Sequence, residues 1–273
     1  MTVPKRMTVL RPLRGFAERS WLVILVLVTW ELVTRAADET YFPPPTTIVR
    51  ALRDLWFSGP ASDLFLTENA ADDFSTSLTH LFVGWGAASL AGIVVGAVIG
   101  RSQVLYDMAS PVLEFLRAVP PPTLVPFFII VFQLGATMQI VTIAFGVVWP
   151  VLLNTSDGVR TVEPLQLDTA RVFGLGRFRR LVSIILPAAA PKIAAGLRVA
   201  LSFALILMVI SELFGSTSGI GSELIGAQRS FELPRMWAGI VMLGILGFLF
   251  NAVFLLLERR LLSWHIGAQR LAN

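Results

Sequence analysis

Three stretches of this chain, Ser77 to Gly100, Met138 to Leu153 and Met236 to Leu257, contain no Asp, Glu, Lys or Arg. A fourth, Ala188 to Leu213, carries only Lys192, Arg198 and Glu212. Apolar runs of this kind suit helices that cross a bilayer. Such a span needs roughly 20 residues, and a helix satisfies its own backbone polar groups where no water can. Composition agrees: 55% of residues are hydrophobic, 15% are charged and the mean hydropathy is +0.74. A soluble domain carries about a quarter charged residues. The expected fold is therefore an all-α membrane protein, a polytopic bundle of about six transmembrane helices.

The first expected span centres on Trp21 to Trp30, preceded by the basic cluster Lys5, Arg6, Arg11, Arg14 and Arg19. It is short, so it must borrow residues on the Gly15 side and tolerate Glu31. A secretory signal peptide with Ala36-Ala37 at its cleavage region is the competing reading, and the spans that follow favour a membrane helix. The segment Asp38 to Asp73 is acidic. Within it Pro43-Pro44-Pro45 sets an extended entry, Thr46 and Thr47 offer caps, and Ile48, Leu52, Leu55 and Trp56 fall at helical spacing before Gly59-Pro60. That helix either lies on the outer membrane surface or packs as a loop helix. The second span, Ser77 to Gly100, carries Gly84, Ala88, Gly92, Gly96 and Gly100, each four residues from the last. A stripe of small residues lets another backbone approach closely, which is how helices associate in lipid.

After Arg101, the segment Leu105 to Arg117 leads to Pro120-Pro121-Pro122 and Pro126. Prolines at this density break a helix, and broken backbone at membrane depth survives only against protein or a water-filled cavity. Arg117, Pro120 and Pro126 are therefore candidates for lining a pathway, with Ser211 and Glu212 near the end of the fifth span. A plain kink before the third span, Thr123 to Leu134, is the alternative. The fourth span is Met138 to Leu153, the fifth Ala188 to Leu213 and the sixth Met236 to Leu257. The basic residues at the N-terminus, Arg101, Arg160, Arg171, Arg177, Arg179, Arg180, Lys192, Arg259 and Arg260 all fall on one side of this topology. The acidic run falls on the other. By the positive-inside rule the N-terminus is cytoplasmic, although Arg35 falls on the wrong side.

Several chemistries are excluded. There is no cysteine, so neither a disulfide nor a thiolate metal site can form. His80 and His265 are isolated, which leaves no His/Cys metal cluster and no Ser-His-Asp set. No phosphate-binding loop occurs, and the only lysines are Lys5 and Lys192. The chain is not expected to be an enzyme or to hold a cofactor or metal. If ATP drives it, another polypeptide hydrolyses the ATP.

The loop Asn154 to Leu186 is the one long polar and basic passage of the second half. Pro164 suits the first turn of a helix, and Asp168 falls early enough to favour its positive end. Leu167, Ala170 and Phe173 share a face, and Gly174 can close the helix in a left-handed conformation. A second helix, Arg177 to Leu186, is expected to stop before Pro187. Phe173 and Leu175 would then be presented at a tip rimmed by Arg171 and its neighbours, as on a docking surface. Arginines meeting anionic lipid are the alternative.

The same residues carry a family resemblance. Asp168-Thr169-Ala170, then three residues, Gly174, then nine residues, and Ile184-x-Leu186-Pro187 resemble the EAA motif of ABC importer membrane subunits, E-A-A-x3-G-x9-I-x-L-P. Asp168 and Thr169 depart from the usual Glu and Ala. Phe42 to Pro45, Arg117-Ala118-Val119-Pro120, Pro126 and Thr217 to Gly221 resemble the branch importing nitrate, aliphatic sulfonates and taurine. That branch tends to have Phe-Gly where Phe132-Gln133 stands. The resemblance implies a permease subunit in a prokaryotic plasma membrane, with residues 1–20 cytoplasmic, 21–265 the permease domain, about 157–187 the coupling loop and 266–273 a cytoplasmic tail. It implies a homodimer of this subunit, two ATP-binding subunits that bind ATP and Mg, and an external binding protein delivering a small anion. It places ATPase coupling at Asp168, Thr169, Ala170, Arg171, Phe173, Gly174, Leu175, Ile184, Leu186 and Pro187.

Two other classes compete. A secondary transporter or channel would use Glu31, Glu114, Arg117, Arg198 and Glu212 as ion sites, and a scaffold would recruit a partner without transport. Against the transporter or channel, these charges form no evident relay and the docking loop is left unexplained.

Overall fold

The computed structural model describes residues 10–37, 40–63, 65–214, 216 and 218–263, with backbone alone for 10–20. Lys5, Arg6, Asp38, Glu39, Thr217, His265 and the expected tail at 266–273 lie outside the described residues. Every regular element described is helical: α1 (Leu10–Ala37), α2 (Pro45–Trp56), α3 (Glu68–Gly100), α4 (Gln103–Ala118), α5 (Val125–Phe132), α6 (Ala136–Arg160), α7 (Pro164–Val172), α8 (Arg177–Arg180), α9 (Leu186–Leu213), α10 (Ile220–Arg229) and α11 (Leu233–Leu261).

The core is built on α3, α6 and α9. The small-residue stripe of α3 faces α6 of the same chain. A β-carbon placed on Gly96 would stand 2.5 Å from the Leu152 carbonyl oxygen, and one on Gly100 would stand 2.6 Å from that of Ser156. Only glycine permits backbones this close, and in lipid such packing is itself the main source of helix association. Gly84 meets Ile143 and Gly100 meets Ser156, so α3 and α6 run parallel. α9 runs antiparallel to α6: Ala189 lies beside Gly158, and Leu207 beside Gly146. Leu81, Ile143, Val147, Val151, Ala204 and Met208 fill the space between these helices.

Two parallel helices need a return crossing between them, and the chain makes it in a bent form. α4 ends at Ala118, a 3-10 turn covers Pro121–Leu124, and α5 continues at 79° to α4. The expected span Thr123 to Leu134 is therefore not an independent crossing; it is the second half of a broken one. Pro120, Pro121 and Pro122 cannot donate the amide bonds that would carry the helix through. Among the described residues, four helices are long and apolar enough to span a membrane: the helix ending at Gly100, α6, the continuous helix Arg177–Leu213 and α11; the bent pair, taken as one span, makes a fifth. α1, the helix assigned to the first crossing, is 28 residues long, and its residues Trp21 to Val28 are exposed apolar side chains.

At the end of α1, Glu31 accepts hydrogen bonds from the Thr46 amide (3.0 Å), the Thr46 hydroxyl (2.7 Å) and Arg35 Nε (2.6 Å). This clasp explains both the charge inside the first span and the misplaced Arg35. It also corrects the capping assignment. Neither Thr46 nor Thr47 caps α2 from its own chain position, because Pro44 occupies the cap and Pro45 the first turn; Glu31 supplies the acceptor instead. α2 packs as a loop helix, with Ile48, Leu55 and Trp56 buried and Trp56 edge-on to Phe74 at 5.8 Å.

The helix after the basic loop does not stop before Pro187. α8 passes through a π-helical turn, Leu181–Ile185, directly into α9, giving one helix from Arg177 to Leu213. The Leu186 amide bonds to the Leu181 carbonyl, five residues back. In an ordinary α register Pro187 would press its ring on the carbonyl four residues back, and the wider turn accommodates it.

Candidate coupling loop and pathway

α7 starts with Pro164 in its first turn after Glu163 and ends in a closed loop of hydrogen bonds. The Leu175 amide bonds to the Ala170 carbonyl and the Gly174 amide to that of Arg171, both at 3.0 Å. Gly174 has φ +67°. This is the two-bond ending that requires a left-handed residue, which glycine adopts without a clash. The chain thus reverses at Gly174, as the spacing suggested.

The root of α7 is held by an apolar cluster. Ala97 at the end of α3, Val159 in the last turn of α6, Val162 just after it, and Ile185 and Ala189 of the long helix are buried together, with Leu167, Leu181 and Leu186 against them. Ala170 is buried. Phe173 does not share that face: it is 77% exposed, beside Val172 at 85%. Leu175 is half-buried. Asp168 does not act on the helix terminus. Its carboxylate takes a hydrogen bond from Arg171, one turn on, at 2.6 Å, and both are exposed. Thr169 donates to the Leu165 carbonyl at 2.8 Å. With Leu165, Gln166, Ser183, Ile184 and Pro187, Thr169 lines an open groove of about 530 Å³ between α7 and the π turn. The loop therefore brings the motif residues into three groups. Ala170 and Leu186 anchor it, Thr169, Ile184 and Pro187 line its groove, and Asp168, Arg171 and Phe173 are offered outward.

The pathway candidates do not gather at one place. Arg117 and Glu114 line a cavity of about 490 Å³ whose other walls include Pro121, Pro122, Trp149, Phe203 and Ile206. Arg117 has no ion pair among the described residues. The break in the backbone thus borders a cavity, whose mostly apolar wall carries one cation, Arg117, and one carboxylate, Glu114. Pro120 precedes the 3-10 turn and Pro126 sits in the first turn of α5; neither lines that cavity.

Ser211 and Glu212 stand elsewhere, fully buried near the far end of α9. Glu212 accepts from the Ser77 hydroxyl and the Gly221 amide, Ser77 accepts from the Ile220 amide at 2.9 Å, and Asp73 accepts from the Gly219 amide at 2.9 Å. Together they fasten the Gly-rich turn before α10 to α3. Asp73 and Ser77 were not singled out in the sequence, where nothing local marks them as partners of a turn so far along the chain.

A bundle with a broken crossing, a cavity at the break and a helix rooted in the core at one end has the features of a membrane transport subunit. Residues 88–263 match the family described as binding-protein-dependent transport system inner membrane component. The chain belongs to this family and is an ABC importer permease of the sulfonate, taurine and nitrate branch. It is 30% identical over 92% of its length to the putative aliphatic sulfonates transport permease protein SsuC of Bacillus subtilis, covering 88% of that protein. It is 31% identical over 89% of its length to the taurine transport system permease protein TauC of Escherichia coli, again covering 88%. The fold is shared with the inward-facing MetNI methionine ABC transporter, with a TM-score of 0.61 over 69% of this chain and 94% of that one, at 18% identity.

Proposed function

We propose that α7 is the element through which a separate ATP-binding subunit drives this permease, and that the cargo is a small anion delivered by an external binding protein. The observation that carries the coupling role is the build of the loop: exposed Val172 and Phe173 at the tip, and a root continuous with the core through Ile185 and Ala189. A push on the tip reaches the long helix Arg177–Leu213, and that helix borders the cavity through Phe203 and Ile206. ATP can shift the bundle between two states only if the ATPase binds one of them better. A rooted α7 would provide that difference.

The end holding α7, Arg101 and Arg160 is taken as cytoplasmic on the charge rule, with the N-terminus on the same side. The end holding α2 and α10 would face the binding protein. The full assembly is a homodimer of this chain with two ATP-binding subunits, and ATP and Mg bind to those subunits. The anionic cargo is supported by Arg117 at the cavity and by relatives named for sulfonate, taurine, nitrate and bicarbonate.

Proteoliposomes containing this chain, its ATPase and its binding protein test the reading. ATP-dependent anion uptake supports it. Uptake driven by an ion gradient without the ATPase would replace it with the secondary-transporter reading.

A further inference from the structure

The apolar cluster that roots α7 has a basic rim contributed by three separate elements. Arg101 caps the C-terminus of α3, one turn beyond the buried Ala97. Arg180 ends α8, immediately before Leu181, which packs on the same cluster. Arg171 lies one turn beyond Leu167 on α7. Burial, followed by the charges of Arg180 and Arg171, pushes the Arg101 guanidinium below its ordinary value. Arg101 therefore feels both of the other cations.

Little within the chain offsets this charge. Asp168 pairs with Arg171 alone. Neither Arg101 nor Arg180 has an ion pair among the described residues, and the Nε of Arg180 is buried without a hydrogen-bond partner. Two other cations at this end, Arg160 and Lys192, are engaged elsewhere. Arg160 stacks 3.5 Å from the Tyr106 ring centroid and bonds to Gln103, and Lys192 pairs with Asp157. Like charges gathered at one end of the bundle oppose one another unless an anion completes them.

We propose that Arg101, Arg171 and Arg180 bind the phosphate of an anionic phospholipid headgroup at the coupling end of the bundle. The location favours lipid over a protein partner. Arg101 follows directly on the last residue of a spanning helix, and Arg180 precedes the point where the long helix becomes apolar. Both thus lie at headgroup depth, where basic side chains meet anionic lipid. The exposed tip of α7 lies beyond them. A lipid held here would brace α7 against the ends of α3 and the long helix, so it goes beyond the coupling role and does not require it.

The test uses the purified chain in mixed phosphatidylglycerol and phosphatidylcholine nanodiscs, with retained lipid counted by native mass spectrometry after transfer to detergent. Wild type is expected to retain phosphatidylglycerol over phosphatidylcholine, and Arg101→Gln/Arg180→Gln to lose the preference. Arg177→Gln/Arg179→Gln, which removes the same charge from exposed positions, is expected to keep it. Unfolding temperatures in phosphatidylcholine alone show that both variants fold. Absence of a preference in wild type, or equal loss in both variants, would overturn the site in favour of diffuse attraction. Displacement of the lipid by inorganic phosphate would overturn the headgroup as its ligand.

Discussion

Ser77 and Glu212, 135 residues apart in the chain, share a hydrogen bond of 2.7 Å in a fully buried place, and the second Glu212 oxygen takes the Gly221 amide at the same distance. This contact ties α3, α9 and the turn before α10 into one unit. Glu212→Ala would leave a buried hydroxyl and a buried amide without acceptors, at a cost of about 1–3 kcal/mol each before any relaxation. The expected outcome is a lower thermal midpoint in detergent and faster proteolysis between α9 and α10, with Glu212→Gln affected less because its carbonyl still accepts one bond.

The α3 and α6 backbones are spaced for glycine. Gly96→Ala would force a β-carbon to 2.5 Å from the Leu152 carbonyl oxygen. Overpacking of this kind costs about 1–3 kcal/mol. Gly86→Ala, where nothing lies within 4 Å of the added carbon, is the internal control and should stabilise by about 0.5–1 kcal/mol, because alanine favours a helix interior over glycine. Thermal unfolding of the two variants side by side checks the difference.

Gln133 joins α5 to α6 at φ 62° and ψ 175°, a backbone region that is essentially reserved for glycine. Gln133→Gly should relieve strain of about 1–3 kcal/mol, partly offset by the greater freedom of glycine in the unfolded chain. A raised thermal midpoint with unchanged helix content is expected.

Glu223 on α10 is half-buried beside the acidic Asp73 and Glu232. Its carboxyl is raised above the ordinary value chiefly by burial, with Arg235 opposing and the two acids adding to the rise. A raised folded-state value in an acid means that the folded form holds its proton more tightly than the unfolded form. Stability therefore falls as pH rises from the ordinary carboxylate value through the raised one. Glu223→Gln should flatten that slope and stabilise the protein at neutral pH, as read from thermal midpoints across the acid range.

These particulars also show what could be read before the structure. The stripe from Gly84 to Gly100 announced close packing, because small residues four apart make one helix face, but its partner in the same chain could not be identified. Gly174 was legible as a turn because its conformational need is local. Pro187 misled for the same reason. Its missing amide and its ring do oppose an ordinary α-helical continuation, yet the chain continues through a π turn. The broken crossing at Pro120 to Pro122 was seen as a break, and the cavity beside Arg117 fits it. The burial of Glu212 against Ser77 and Gly221 depends on elements far apart in the chain, and no local spacing could show it.

The central claim is that α7 conveys the motion of an ATPase to the bundle. Phe173 tests it most directly, because it is 77% exposed and its replacement leaves the packed root untouched. In proteoliposomes with the ATPase and the binding protein, Phe173→Asp should abolish ATP-dependent uptake while its thermal midpoint matches wild type. Wild-type uptake by that variant would contradict the account.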